Sequence, residues 1–235
     1  MARVTKQPDV RRDELLDVAL ELCRSVGFDA MSVEQVTSAA GVAKGTFYHY
    51  FSSKADLLWQ LVSRFGDSLF AVLTSTMTAT DGTGLARLRR LMDASAAYKA
   101  AHLDAVNYAS YLYRDENFAL RHRLFAAWMG RTREVLLPVI EEGVRDGSFQ
   151  VDDVEGATDV VLSLWFDAAD RLWERARSAP DAEGFADTLV RGSAALWSAQ
   201  ERVRGTPRGS FAINLDKAVI DGMQTLYQQL DGSRR

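Results

Sequence analysis

Between Asp9 and Val26 the apolar positions Leu15, Ala19, Leu22, Cys23 and Val26 recur at helical spacing, and Leu16 and Leu20 widen the stripe. This pattern predicts an amphipathic helix. Gly27 is placed to close it in a left-handed conformation, and Phe28 follows as an anchor. The run Ser32-Val33-Glu34-Gln35 reads as a capping box, with Ser32 accepting from the Gln35 backbone and Gln35 reaching back. It opens a second, short helix that stops at Gly41. A third short helix is expected over 42–50. Helix, glycine-containing turn and short helix in this order form the pattern of a helix-turn-helix. Ser52 or Ser53 then caps a fourth helix, running through Leu57, Leu58, Leu61, Val62, Phe65, Leu69 and Leu73 to about Thr78. At ~1.5 Å per residue it is roughly 37 Å long, enough to join two domains.

Further helices are predicted near 84–101, 104–113, 116–146, 153–177, 182–203 and 215–230. Breaks fall at Asp81-Gly82-Thr83-Gly84, Asp146-Gly147, Ala179-Pro180-Asp181 and Gly205-Thr206-Pro207-Arg208-Gly209. Pro138 is expected to kink or divide the 116–146 helix. The fold class is therefore all-α, with a three-helix amino-terminal domain over 1–52 joined by the long helix to a larger helical domain over 53–235. No internal repeat or low-complexity tract interrupts it.

Composition supports this reading. Only four of the 235 residues are proline, and 47% are apolar against 26% charged, as in a soluble globular protein. The net charge of −4 does not announce a nucleic-acid binder, but its distribution qualifies the sum. Residues 1–64 are neutral overall, with eight basic and eight acidic groups, so the acidic excess lies in the remainder. Within the first twelve residues Arg3, Lys6, Arg11 and Arg12 face only Asp9, a small basic arm. Cys23 is the only cysteine, which precludes an intrachain disulfide; on an apolar stripe it is expected to be buried and inert. No apolar run of signal-peptide or membrane-spanning type is present, and the expected compartment is the cytoplasm.

The stretch Gly41–Ser53, GVAKGTFYHYFSS, carries the chemistry. A helix that reads DNA puts its amino end into the major groove, with phosphate contacts around it. Gly45 removes a side chain so that backbone can approach the duplex. Thr46 offers a hydroxyl and a methyl to base edges, and Lys44 reaches a guanine edge or a phosphate. Tyr48 and His49 have no evident packing role and present polar tips to phosphates. Lys54, with Ser53, opens the fourth helix, whose amino end favours an anion. Ser32 and Val33 open the second helix, which crosses the backbone, and Arg3 and Lys6 follow the strand or enter the minor groove. Phe47 and Phe51, four apart, read as core, and Tyr50 either as a further polar tip to a phosphate or as packing with its hydroxyl at the rim.

Against these stand two other classes. An enzyme finds little support, because His49, His102 and His122 are scattered and no metal, phosphate-loop or nucleophile-elbow motif appears. No catalytic residue, metal or cofactor is expected. A helical adaptor or ligand sensor acting through protein partners remains the alternative.

The segments Leu15–Leu20, Gly27-Phe28, Ser32-Val33, Ala39–Phe51 and Lys54 with Leu57-Leu58 resemble the DNA-binding region of the tetracycline-repressor (TetR) family over about residues 10–60. Thr37 stands where the family usually has Ala, and Phe47 where Leu is commoner. The resemblance implies a homodimeric repressor whose larger domain binds a small molecule that releases DNA. Two-fold symmetry matches a palindromic operator in double-stranded DNA and multiplies the weak affinity of one reading helix.

The candidate dimer face comprises the helices near 153–177, with Val161, Leu164, Trp165, Ala168, Leu172 and Trp173, and 182–203, with Phe185, Leu189, Gly192, Ala195, Leu196 and Ala199. An ordinary intrachain core is the competing reading. Candidate ligand contacts are Tyr98, His102, Asn107, Tyr108, Tyr111, Trp128, Trp165 and Asp167, with Asp170 near them; they suit a hydrophobic, aromatic or cationic effector. The last helix, with Leu215, Val219, Met223, Leu226 and Leu230 on one face, covers either the dimer bundle or the pocket.

Overall fold

A computed structural model of the chain describes residues 8–78, 81–102, 110–211 and 217–232. Among the described residues the regular structure is helical throughout, without a strand. The helices are α1 (Pro8–Val26), α2 (Val33–Ala39), α3 (Lys44–Tyr50), α4 (Lys54–Met77) and α5 (Gly84–Ala101). Two 3-10 turns, Ser110–Tyr113 and Asp115–Asn117, lead into α6 (Phe118–Arg145). Then come α7 (Val154–Ser163), a π-helical turn (Leu164–Ala168), α8 (Ala169–Arg177), α9 (Ala182–Val203) and α10 (Lys217–Gly232). None of the described helices is long and apolar enough to cross a membrane.

The chain separates into two compact units. One is Met1–Ser68 with Ala101–His122, and the other is Leu69–Ala100 with Arg123–Arg235. In the first unit the apolar stripes of α1 to α4 become a core: Leu15, Leu16, Ala19, Met31, Val36, Phe47, Phe51, Leu57, Leu58, Leu61 and Val62 are at most 2% exposed. The capping box at α2 is present, with Gln35 N donating to Ser32 Oγ at 3.1 Å and Ser32 N to Gln35 Oε1 at 2.7 Å. Gly41, at φ 63°, closes α2. Its N–H donates to Ser38 O at 3.1 Å and that of Val42 to Thr37 O at 2.9 Å, a Schellman pattern that needs the left-handed residue. Helix α3 has only seven residues. So short a helix does not persist in water alone. Burial of Phe47 and Phe51, one turn apart, holds it, with ring centroids 5.1 Å from each other.

In the second unit Leu88, Leu91, Leu136, Val139, Ile140, Phe149, Val161, Leu162 and Phe211 form one cluster. Helices α5 and α6 cross at two glycines: a Cβ on Gly84 would lie 2.3 Å from the Gly143 Cα, and one on Gly143 would lie 2.1 Å from the Phe149 ring. A second cluster joins Leu172, Ala176, Phe185 and Leu189, with Trp173, Leu196, Met223 and Tyr227 packed on it. Helix α10 is thus fastened to α8 and α9, and the Tyr227 hydroxyl donates to Ala179 O at 3.0 Å.

The structure refines several sequence expectations. Pro138 does not divide α6, which runs unbroken through it, and the ring lies on the exposed side. Residues 104–109 of the expected 104–113 helix lie outside the described residues, and Ser110–Tyr113 form a 3-10 turn. The expected 153–177 helix is present as α7, the π turn and α8, which follow one another without a break. Gly192 is small for the sake of its own chain, since a Cβ there would lie 2.1 Å from Leu172 Cδ1. Leu172, Phe185 and Leu189, expected at a subunit interface, are core.

Candidate nucleic-acid interface

With Phe47 and Phe51 turned inward, α3 presents Lys44, Gly45, Tyr48 and His49 outward, while Thr46 is half-buried. Tyr48 is 50% exposed and rests its edge on the Phe47 ring, 5.4 Å between centroids. His49 stands edge-on to Tyr50 at 4.8 Å, and Tyr50, half-buried, accepts at its carbonyl from Gln60 Nε2. Gly45 is exposed, and a Cβ added to it would meet nothing within 4 Å. No packing or backbone constraint inside the protein therefore requires glycine at this helical position.

Ser32 and Val33 are half-buried at the start of α2. The Ser32 oxygen serves the cap, and its hydroxyl also helps hold the Glu34 carboxylate. Next to them Glu34 forms an ion pair with Lys44, tying the first turn of α2 to the first residue of α3. The ammonium and its hydrogen bond hold the Glu34 carboxyl below the usual range, and the carboxylate raises Lys44 in return. The two lie ten positions apart across the turn, and no periodicity along the chain links them.

Lys54 is more occupied than its position suggested. Its ammonium donates to Asp29 O at 2.8 Å and stands 4.8 Å from the Phe28 ring centroid; burial lowers its pKa, partly offset by Asp29. An ammonium carries three N–H donors, so a phosphate contact stays open to it. The anion at the amino end of α4 is the chain's own Asp56, whose carboxylate accepts from Ser52 N at 2.8 Å while Ser53 Oγ caps Asp56 N. Asp29 is gripped on its other side too: Arg114 pairs with its carboxylate, and the Tyr111 ring packs 5.2 Å from Phe28. Arg121, buried, donates to Leu112 O at 3.2 Å and steadies this turn. Asp29, Arg114 and Arg121 carried no signal in the sequence, because their partnerships join distant segments. Arg3 and Lys6 lie outside the described residues.

The candidate effector residues fall in both units. His102, 6.3 Å from the Phe65 ring, and Tyr111 belong to the first unit. Tyr98, Trp128, Trp165 and Asp167 belong to the second, and Asn107 and Tyr108 lie outside the described residues. Trp165 donates its indole N–H to Gln200 Oε1, and Asp167 is exposed. Trp128 stacks on Phe125 at 6.2 Å, and Phe125 meets Phe166 edge-on at 5.9 Å, an aromatic row in the second unit. Among the described residues no cluster of His, Cys, Asp and Glu suits a metal ion.

Comparison with known proteins bears on these features. Residues 15–61 match the family profile described as bacterial regulatory proteins, tetR family. The chain is 35% identical over 150 residues to the HTH-type transcriptional repressor KstR2 of Rhodococcus jostii, covering 62% of this chain and 71% of that protein. It is 30% identical over 157 residues to the KstR2 repressor of Mycobacterium tuberculosis, covering 65% and 76%. Among solved structures, the fatty acid degradation regulator FadR from Bacillus halodurans shares the fold, with a TM-score of 0.55 at 21% identity over 82% of this chain and 96% of that one.

Proposed function

The chain belongs to the tetR family of bacterial regulatory proteins, and from that premise we propose that it is a cytoplasmic transcriptional repressor that binds a palindromic operator as a homodimer. The observation that carries this is Gly45. A glycine inside a helix is unfavourable by up to about 1 kcal/mol relative to alanine, and here no neighbour calls for it. A duplex lying against that backbone does. The surrounding Lys44, Thr46, Tyr48 and His49 supply donors, with Ser32 and Val33 beside them on α2 and Lys54 at the edge. The relatives' repressor function supports the same reading.

The dimer face falls to what the intrachain core leaves open on α7 to α9: Val160, 48% exposed, Leu164, Ala195 and Ala199. The effector is a small, largely hydrophobic or aromatic molecule taken up in the larger unit, where the Phe125–Trp128–Phe166 row offers ring faces. Release requires that it bind the DNA-free state more tightly than the bound one. Within the first unit, the turns from Ser110 to Asn117 reach the α1–α2 corner through Asp29 and Phe28, a route by which a ligand signal arrives at the reading head.

The test is selection of random duplexes by the purified protein, followed by titration of the winner at rising salt. A symmetric site whose log affinity falls linearly with log salt supports the proposal. Enrichment of no sequence refutes it, and retained binding of a protein partner after charge reversal at Lys44 would favour the adaptor.

A further inference from the structure

A surface that meets a polyanion gains nothing from an acid through charge alone, because a carboxylate is repelled by the phosphates it approaches. Yet Glu34 stands exposed beside Ser32 and Val33, paired with the lysine that opens the reading helix. Glu34 contributes nothing to the core; its place in the first turn of α2 favours the helix dipole modestly, and an exposed ion pair of this kind adds little more to stability. We propose that Glu34 and Lys44 act as one base-reading unit that recognises a G·C pair in each half-site, Lys44 on guanine and Glu34 on cytosine. The inference rests on the regulator reading above and adds to it which base the head demands.

The chemistry follows from the edges of the base pairs. In the major groove guanine offers two acceptors, O6 and N7, and cytosine beside it offers the N4 amino donor. A lysine ammonium hydrogen-bonded to a glutamate presents the complement, a donor flanked by an acceptor. On an A·T pair the ammonium finds a single purine acceptor, and a carboxylate at the pyrimidine meets the thymine O4 and methyl instead of a donor. Against phosphate alone the pair is nearly neutral and gains little, so its net effect is to favour one base pair and disfavour the others.

The experiment is random-duplex selection with the full chain and with Glu34→Ala, Glu34→Gln and Lys44→Ala, alongside thermal melting to confirm folding. The wild type should enrich a G·C pair at one symmetric position of each half-site. Glu34→Ala should melt within a degree or two of wild type and lose roughly tenfold of its discrimination at that position alone, binding duplexes with the other base pairs there more tightly than wild type does. Its salt slope should steepen by about one as Lys44 turns to a phosphate. Glu34→Gln should move the preference at that position towards adenine. Lys44→Ala should lose the same base preference. If Glu34→Ala selects the wild-type site with unchanged stringency at every position, the pair does not read bases and the inference is overturned. A wild type that enriches no sequence overturns the regulator reading itself, a result distinct from the first.

Discussion

If the duplex lies against α3 as proposed, Gly45 separates folding from function at a single atom. Because a Cβ there meets nothing within 4 Å, Gly45→Ala should fold and melt at the same or a higher temperature, with a gain of up to about 1 kcal/mol. The same methyl group would stand between the backbone and the duplex, so affinity for the selected operator should drop at least tenfold by anisotropy titration. An unchanged affinity would remove the argument that places DNA at this helix. Cys23 gives a second single-group test. Burial pushes its thiol up to about 11, against a smaller opposing pull from Lys54. From an ordinary value of 9.0 this leaves roughly a hundredfold less thiolate at pH 8. A thiol-reactive dye should label the folded protein correspondingly slowly and the urea-unfolded protein at the rate of a free cysteine.

Which helices could be read along the chain depended on whether their determinants were local. Ser32 and Gln35 lie three apart and Phe47 and Phe51 four apart, and Gly27 and Gly41 sit at helix ends; all of these act within one turn, and the structure uses them as read. The pairs Lys44–Glu34, Lys54–Asp29 and Arg114–Asp29 span ten to eighty-five positions, and only the folded chain brings them together. Gly192 shows the same limit in another form, since its smallness was legible but the neighbour it admits, Leu172, was not. The crossing of α5 and α6 makes a firm prediction of this kind. A Cβ on Gly84 would fall 2.3 to 2.4 Å from Gly143 backbone atoms, which no rotamer change relieves. Gly84→Ala should therefore destabilise by about 1–3 kcal/mol, lowering the urea midpoint, while the α1–α3 reading head keeps its helicity.

Two copies of the chain must cooperate if the proposal holds. An acid placed on the open apolar side chain of α7, Val160→Asp, should shift the protein to monomer in sedimentation equilibrium and cost about a hundredfold or more in operator affinity, with little loss of helicity because Val160 is 48% exposed. Persistence of the dimer would move the interface elsewhere. Arg114→Ala addresses communication. It removes the grip on the Asp29 carboxylate without touching α3. Operator affinity without effector should stay within a few fold of wild type, while the effector concentration that halves binding should change several-fold. No change in that concentration would exclude this contact from the signalling route.

The π turn at Leu164–Ala168 has a geometric outcome of its own. Ordinary helical pitch advances each residue by ~100° around the axis, and a turn with one residue too many rotates everything downstream by that amount. Val161 and Leu162, before it, point into one apolar cluster; Leu172 and Ala176, after it, point into another. A single rod thus changes the azimuth of its greasy side midway, serving two cores that a uniform helix would leave out of phase. Excising one residue from that widened loop would swing Leu172 away from Phe185 and strand the carboxyl-terminal helix without its seat.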